Sequence, residues 1–435
     1  MQNEFDKKIG NFMKFKLLFI IFTIFLHYLK TPYLFQSGRF MMNDAVHYAN
    51  ALNSNWHETF FLIYWPAGYL NFFANLTSFL NSRLINIEFA ALFNVYFCYL
   101  LIFLLHYIII FYKSDFFKTN FSKLFASIII SISPIFVFEI WLDSHNAQVY
   151  LCLLSFFILF LKHDRSSKFF SPFILGIAGL SGVYSCLLTP LFIYKNLKER
   201  TKINFINSLI ITLTSIIQFS IILVAKLSGK LYMGKLNFNY FLNFNEIESF
   251  TYNILIRPFL SSSLSNYFIK TFEIENNNQL KVLIIFLVIL FILSLLFYIL
   301  FQIKNKNLKL SFELTSLIYL FFTCSILVTV GGVNDSVGGR YSVIPSFCII
   351  FILFKLSFIQ KKLQVLKTLS FTLIFISLLT GIYDYRVKKW IIFYECINCP
   401  EWKKEIRKFN LNNNYKIKVW PYDVVNEIDL KVKYY

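Results

Sequence analysis

Residues 84–112 read LINIEFAALFNVYFCYLLIFLLHYIIIFY, and Glu88 is the only charged side chain among them. An α-helix needs about 20 mainly apolar residues to cross the hydrocarbon core of a bilayer, so this run is long enough to span a membrane. Similar runs recur along the chain and predict an all-α polytopic membrane protein. The other apolar segments are 17–30, 124–140, 146–161, 206–225, 281–303, 312–330, 343–357 and 367–383, with two further stretches at 59–80 and 171–194.

The composition of the 435 residues agrees with this interpretation. Hydrophobic residues make up 57% of the chain and charged residues 15%, whereas a soluble domain has about 25% charged residues. A soluble protein of this length would need more polar surface than the chain provides. Disorder, collagen-like repeats and a disulfide scaffold are excluded on the same grounds.

The net charge of +19 reflects membrane topology rather than nucleic-acid binding. Half of the 42 basic residues lie in short clusters between the apolar runs, where cytoplasmic loops carry Lys and Arg. The clusters are Lys7/Lys8/Lys14/Lys16, Lys113/Lys118/Lys123, Lys162/Arg165/Lys168, Lys195/Lys198/Arg200/Lys202, Lys304/Lys306/Lys309 and Lys355/Lys361/Lys362/Lys367.

All six clusters lie on the cytoplasmic side if 171–194 crosses the membrane twice and 59–80 does not cross. The glycines of 171–194 suggest a broken pair of short helices. The sequence then predicts about eleven transmembrane helices, the first an uncleaved anchor, in what we take to be a bacterial plasma membrane. The loops 31–83, 141–145, 226–280 and 331–342 would face the periplasm or lumen.

The chain is predicted to divide into a transmembrane domain, 1–383, and a hydrophilic C-terminal tail, 384–435. The tail is placed on the outer face, since long segments translocate largely regardless of charge. A short helix near Trp402 and a strand-like alternation at 416–421 predict a small extramembrane α+β cap. Cys396 and Cys399 would form a disulfide in an outer tail, or remain thiols or half a zinc site in an inner one.

The first outer loop contains the sequence Asn43-Asp44-Ala45-Val46-His47-Tyr48. Asp44 is followed by His47 at i+3 and Tyr48 at i+4, so on a helix the three share one face. A carboxylate at the low-dielectric boundary would have a raised pKa and could act as a general base. Alternatively, Asp44 is simply an acidic residue favourable to the dipole at a helix N-terminus.

Several motifs resemble the GT-C superfamily of polytopic membrane glycosyltransferases. Asp44-Ala-x-x-Tyr48-x-x-Ala51 and 64–69 (YWPAGY) resemble the first outer loop of that family, and 176–182 (GIAGLSG) resembles its glycine-bearing middle segment. Gly339-Arg340-Tyr341-Ser342-Val343-Ile344-Pro345 resembles the Arg-Tyr-x-x-x-Pro that opens a late span in several branches. The likeness covers most of 1–383 in layout, although each motif is short.

The resemblance implies transfer of a sugar from a polyprenyl-phosphate carrier to a glycan, lipid or protein acceptor on the outer face, with inversion. Transferases for dolichyl-phosphate mannose and for aminoarabinose are of this kind. In that scheme Asp44 is the general base, and His47 and Tyr48 contact substrate. Arg340, with Tyr341 beside it, would bind the lipid phosphate, since Arg matches phosphate oxygens bidentately.

A second outer turn reads Trp141-Leu142-Asp143-Ser144-His145-Asn146. In related enzymes this loop carries an acidic residue, sometimes as a metal ligand. Asp143 and His145 therefore either bind a divalent cation, orient the acceptor next to Asp44, or serve only as turn and cap residues. No Asp-x-Asp pair occurs in either loop, which argues against metal dependence.

Other polar residues are weaker candidates. Glu139 lies near the end of an apolar run, and an intramembrane carboxylate is a functional candidate by default. Arg257 either marks an interfacial helix near the lipid carrier or is a surface residue. Asp335 is interpreted as a turn residue.

Two other functions remain open from the sequence. A transporter or flippase for lipid-linked glycans would have Gly/Pro-broken helices in matching halves, and only one broken segment is evident. An O-antigen polymerase or ligase would place paired Arg residues in large outer loops, which here are poor in Arg. The chain has no glycine-rich nucleotide-binding loop, so a lipid-phosphate sugar is preferred as the donor.

Overall fold

The computed structural model describes residues 2–65, 68–135, 140–162, 164, 167–230, 250–260, 290, 311–330, 339–358, 363–386, 400–412, 414–420 and 427–434. The described chain is mostly helical with a few short strands, which confirms the helical fold class. It divides into two compact units. The first unit comprises Met1–Ser127, Ile140–Tyr232 and Ile391–Tyr435, and the second comprises Ile128–Glu139 and Met233–Trp390.

The first unit contains most of the described helices and both two-stranded sheets. Its strands β1 and β2 form one antiparallel hairpin, and β3 and β4, from the tail, form another. The helices are α1 (Gln2–Lys30), α2 (Pro32–Ser37), α3 (Met42–Leu52), α4 (Trp56–Phe60), α5 (Phe72–Leu84), α6 (Ala90–Phe111), α7 (Asn120–Ile132, which continues into the second unit), α8 (Gln148–Ile158), α9 (Ser167–Leu180), α10 (Val183–Cys186), α11 (Thr189–Glu199) and α12 (Lys202–Leu227); the first hairpin is β1 (Ile63–Tyr64) and β2 (Tyr69–Leu70).

The second unit is described mainly by three long helices. A π-helical turn, Thr251–Ile256, and a 3₁₀ turn, Gly339–Ser342, precede helices of that unit. Arg257 follows the π-helical turn and is only 8% exposed, so its interpretation as a surface residue is wrong. The helices are α13 (Phe312–Val330), α14 (Val343–Ser357) and α15 (Gln364–Arg386).

Several helices begin at side chains that satisfy free backbone N–H groups. The Asn71 side chain accepts a hydrogen bond from the backbone N–H of Ala74 at the start of α5. Asn55 and Glu58 form a capping box on α4. Asn71 therefore fixes the point at which the β1–β2 hairpin ends and α5 begins.

Some of the helices have the length and composition of membrane spans. Among the described residues four helices qualify, or five if one bent pair counts as a single span. Large apolar side chains are exposed on three of these helices, as lipid contact requires, whereas Arg340–Ser357 is mostly buried. The total of about eleven spans stays a prediction. The qualifying segments are Ile87–Phe111, Lys202–Leu227, Arg340–Ser357 and Gln364–Asp384.

The predicted break within 171–194 is confirmed. Ser167–Leu180 and Val183–Glu199 meet at an angle of 119°. Gly182 lies at the break with φ +129°, a conformation that glycine adopts without strain. This geometry belongs either to a broken span or to a re-entrant loop.

The described part of the tail packs against α3. It contains α16 (Trp402–Leu411) and the hairpin β3 (Ile417–Lys418) and β4 (Glu427–Ile428). Trp402 contacts the ring of Phe40 edge-on at 4.7 Å, and its indole N–H donates to the carbonyl of Ile87 at 2.6 Å. These contacts join the tail to α3, so the two lie on the same side of any membrane. Whether the tail is an extramembrane cap stays a prediction.

Gly38 allows the segment before α3 to lie directly on α6. Its φ is +67°, and a Cβ at this position would collide with the backbone of Ala91 and Leu92. Any larger residue would push the segment away from α6. Since α6 carries Asn94, this close approach determines how near Asp44 comes to that side chain.

Candidate functional site

The candidate site lies between α3 and the turn that precedes α8, both in the first unit. Asp44 is in the first turn of α3, and Asp143 is in the turn. Each of the two residues is 1% exposed. The structure thus brings together two of the predicted carboxylates, which are far apart in the sequence, in a buried setting.

Asp44 is surrounded by hydrogen-bond donors. Its Oδ1 accepts from the Ser144 hydroxyl at 2.6 Å and from the backbone N–H of His145 at 3.0 Å. Its Oδ2 accepts from the Asn94 side-chain amide of α6 at 2.9 Å. Three hydrogen-bond donors therefore converge on this one buried carboxyl group.

Asp143 contacts the same backbone N–H group. Its Oδ1 lies 2.9 Å from the His145 nitrogen, and its Oδ2 accepts from Asn146 at 2.5 Å. Burial, followed by the neighbouring charge of Asp44, raises the pKa of Asp143 well above its ordinary value. Asp44 and Asp143 thus form a pair of neighbouring buried carboxyl groups, here called the acid pair.

Two histidines flank the acid pair. His47, one turn after Asp44 on α3, lies with its Nε2 3.2 Å from Nδ1 of His145. The other ring nitrogen of His145, Nε2, is 3.3 Å from the hydroxyl of Tyr69. Burial lowers the pKa of His47 to about 4, although a hydrogen bond with Asn75 and the charge of Asp143 oppose that shift. His47 is therefore neutral at pH 7.

The buried neutral His47 should make stability depend on pH. The ordinary pKa of His is 6.5, so the unfolded chain binds more protons than the folded protein between about pH 6.5 and pH 4. The free energy of unfolding should fall as the pH is lowered through this window, by about 2 kcal/mol at about pH 5. Denaturant titrations of the detergent-solubilised protein at several pH values would measure this slope.

The control for this prediction is a comparison of variants. The raised pKa of Asp143 makes the free energy of unfolding rise as the pH is lowered, which opposes the effect of His47. The pH dependence of wild type is therefore compared with that of His47→Gln. In His47→Gln, the fall in the free energy of unfolding that is due to His47 should disappear. In His57→Gln, a substitution at an exposed position, the fall should remain. Identical slopes for wild type and His47→Gln would contradict the prediction.

Tyr48 lies on α3 but contacts a different group of residues. Its ring stacks on Phe40 at 5.2 Å and meets Trp402 edge-on at 6.0 Å, within an apolar cluster shared with the tail. Asp44 and His47, by contrast, contact the 143–146 turn. Of the three residues predicted to share one helix face, Asp44 and His47 thus contact the site, whereas Tyr48 contacts the tail. A substrate contact for Tyr48 stays a prediction.

Arg340 and Tyr341 belong to the second unit. They form the 3₁₀ turn before α14, with the guanidinium 4.8 Å from the Tyr341 ring and an Arg340 N–H 3.0 Å from its hydroxyl. The predicted position at the opening of a late apolar helix is confirmed. Their binding of a lipid phosphate stays a prediction.

Four residues at the site were missed by the sequence reasoning. Asn94 and Asn75 lie in apolar stretches, where a buried amide is itself a signal of a polar partner. Tyr69 follows the hairpin turn, and Gln148, 8% exposed, opens α8. The contacts of Asn94 with Asp44, of Tyr69 with His145 and of Gln148 with Tyr69 depend on helix packing, which the sequence does not reveal.

A metal site and several other candidates can be compared with the structure only in part. Within the described ranges, no group of three His, Cys, Asp or Glu side chains is arranged to hold a metal ion. Glu139, Cys396, Cys399 and Asp335 lie outside the described residues, so the predictions for them are untested.

The fold and the site together define a mostly helical protein, compatible with a multi-pass membrane protein, that contains a buried acid pair flanked by two histidines. No family model matches the chain, and comparisons with curated proteins and with solved structures find no match either. The resemblance to GT-C glycosyltransferases therefore rests on the short motifs alone.

Proposed function

We propose that the protein is an integral membrane glycosyltransferase that transfers a sugar from a polyprenyl-phosphate carrier to an acceptor on the outer face of the membrane. The observation that carries the proposal is the buried acid pair, Asp44 with Asp143. Titratable groups whose environments separate their protonation states are typical of acid–base catalytic sites. Sugar transfer is proposed in particular because the short motifs around Asp44 and Arg340 resemble those of GT-C glycosyltransferases.

In the proposed reaction the acceptor hydroxyl oxygen attacks the anomeric carbon. A new C–O bond forms, and the bond to the lipid phosphate breaks with its electron pair leaving on the phosphate. The hydroxyl proton passes to the carboxylate of Asp44, which acts as the general base. One direct displacement of this kind inverts the anomeric configuration.

The neighbours of Asp44 suit this role. Asn94 and the His145 N–H hold the carboxylate in place, and the Ser144 hydroxyl can rotate when Asp44 takes up a proton. The raised pKa of Asp143 favours its protonated form, which limits the negative charge of the pair. Arg340 and Tyr341 would bind the phosphate of the donor.

The proposal is tested with the full chain in membrane vesicles, given a polyprenyl-phosphate sugar and candidate glycan acceptors. We expect free polyprenyl phosphate and an inverted glycoside, and Arg340→Ala should reduce the rate by raising KM for the lipid donor. Mass spectrometry of lipid extracts measures both products. Vesicles that never release polyprenyl phosphate from any such donor would contradict the proposal.

One observation favours a second candidate function, a transporter of lipid-linked glycans. The 119° break between Leu180 and Val183 resembles the discontinuous helices at which transporters bind substrate. A pair of buried carboxyl groups would suit proton coupling. A transporter would move the intact lipid-linked sugar across a liposome membrane and leave its phosphate bond unbroken.

A further inference from the structure

A pocket lined by basic and apolar side chains lies at the turn between α11 and α12 of the first unit. Arg200 ends α11 with a left-handed backbone, φ +46°, and its N–H donates to the carbonyl of Asn196 at 2.8 Å. The Thr201 side chain then accepts from the backbone N–H of Asn204 at the start of α12. The turn borders an open cavity of about 360 Å³, which is lined by Asn196, Leu197, Arg200, Thr201, Lys202 and Phe205.

This pocket, here called the basic pocket, lies at the opposite end of the first unit from the acid pair. Lys195 of α11 donates to the carbonyl of Leu159 just after the end of α8, whereas Gln148, at the start of α8, contacts the first hairpin beside the site. Gln218 of α12 also contacts that hairpin. A helix rises about 1.5 Å per residue, so Lys202 and Gln218 are about 24 Å apart along α12. The basic pocket and the acid pair therefore face opposite leaflets of a bilayer that α12 spans.

The two cations of the basic pocket are available to a ligand. Arg200 and Lys202 are both exposed, and neither forms an ion pair within the part of the chain that the structure describes. The neighbouring acid, Glu199, lies 4.0 Å from the Lys195 ammonium and accepts from the Asn204 side chain at 2.8 Å. Its carboxylate is thus held by other partners, and the pocket offers two positive charges to an anion.

An apolar stripe leads from the basic pocket along the outer face of α12. Phe205 lines the pocket, and Leu209 and Leu213 follow it at i+4 and i+8, so the three share one helix face. All three side chains are exposed. Since α12 is long and apolar enough to cross a membrane, this face would contact acyl chains.

The charges and the stripe together match an amphiphile with a phosphate headgroup. Guanidinium and ammonium groups donate to phosphate oxygens, but a free phosphate would leave the stripe unused. A phospholipid would place its phosphate between Arg200 and Lys202 and its acyl chains along the stripe. Because both side chains are cations, the choline of a zwitterionic headgroup would be repelled, whereas an anionic headgroup would be attracted. Basic pockets between membrane helices bind anionic headgroups in this way.

We propose that the basic pocket binds one anionic glycerophospholipid, such as phosphatidylglycerol, from the leaflet opposite to the acid pair. The basic residues of this turn thus bind a ligand in addition to orienting the helices. The inference does not depend on the proposed function, because this lipid is bound at the far end of α12 from the general base and is not consumed.

The first test titrates the purified full chain with phosphatidylglycerol, phosphatidylcholine or inorganic phosphate and counts bound lipids by native mass spectrometry. One phosphatidylglycerol should bind in preference to phosphatidylcholine, and inorganic phosphate at the same concentration should not displace it. The double variant Arg200→Gln with Lys202→Gln should bind it about 30-fold more weakly, or about fivefold for each cation.

The matched control removes the same charge elsewhere. Lys118 and Lys168 are exposed and belong to two other basic clusters, so Lys118→Gln with Lys168→Gln should leave the affinity unchanged. An equal loss in the two double variants would show general attraction to basic residues and would overturn the proposal. Equal affinity for the two lipids, displacement by inorganic phosphate, or full binding without the two pocket cations would overturn it as well.

The second test locates the lipid in the unaltered protein and so does not depend on the folding of any variant. Phosphatidylglycerol with a photoactivatable group in one acyl chain is cross-linked to the full chain in phosphatidylcholine vesicles, and the modified peptides are identified by mass spectrometry. Cross-links should concentrate in 197–213, and excess unlabelled phosphatidylglycerol should abolish them. Cross-links confined to other segments would overturn the proposal.

Discussion

Replacing Asp44 with Asn should lower the rate of sugar transfer by about 10²- to 10⁴-fold, the usual contribution of a positioned general base. The substitution keeps the shape of the side chain but removes the group that takes the acceptor proton. KM for the lipid donor should change little, since Asp44 acts on the acceptor hydroxyl. Initial rates in membrane vesicles, normalised to the amount of folded protein, measure both quantities.

The control for Asp44→Asn uses its partner on α6. The substitution would place an amide nitrogen or oxygen where Asn94, Ser144 and His145 all donate, so the variant should also lose some stability. The double variant Asp44→Asn with Asn94→Asp keeps one amide and one carboxylate in contact with their positions exchanged. It should regain stability but not activity, because the carboxylate is displaced from the acceptor.

Full transferase activity in Asp44→Asn would show that Asp44 is not the base. Activity recovered by the exchanged pair would mean that the position of the carboxylate is unimportant, which would also contradict its catalytic assignment. Loss of stability in both variants would show a structural role for the Asp44–Asn94 contact.

Replacing Trp402 with Ala should destabilise the first unit by about 3–5 kcal/mol, the usual cost of truncating a buried Trp. Trp402 is 3% exposed, packs on Phe40 and Tyr48, and donates to the carbonyl of Ile87. The variant leaves a cavity beside α3 and removes that hydrogen bond. Denaturant unfolding of the detergent-solubilised full chain, monitored by fluorescence and circular dichroism, measures the loss.

Trp56 provides the matched control, since it is 61% exposed on α4. Trp56→Ala should change stability by no more than about 0.5 kcal/mol, as is usual for exposed sites. Protease digestion should cleave the tail of Trp402→Ala faster than that of Trp56→Ala. Equal stability and equal cleavage in the two variants would show that the tail does not brace α3.

The tail illustrates a contact that the sequence does not reveal. The backbone N–H of Met42 donates to the carbonyl of Trp420 at 2.8 Å, and that of Trp420 donates to the carbonyl of Phe40 at 3.2 Å. Backbone hydrogen bonds of this kind carry no side-chain signature. The sequence predicted a short helix and a strand in the tail, but not that they attach to the start of α3.

The site was predictable only in part for a similar reason. Asp44, His47, Asp143 and His145 were recognisable because charged and imidazole groups are rare at the ends of apolar runs. Gln148 carries no such signal, since a single Gln at the start of a helix is common. Its contact with Tyr69 follows only from the packing of α8 beside the first hairpin.

The sequence by itself determined the helical class, the apolar segments, the break near Gly182 and the polar groups that could perform chemistry, because these depend on composition and on contacts within a few residues. Only the tertiary structure decided that Asp44 and Asp143 lie in one buried site, since Asp44 and the backbone of His145 are 101 residues apart in the chain. A pKa and a tautomer are set by the neighbours that packing provides, and packing joins residues at any separation.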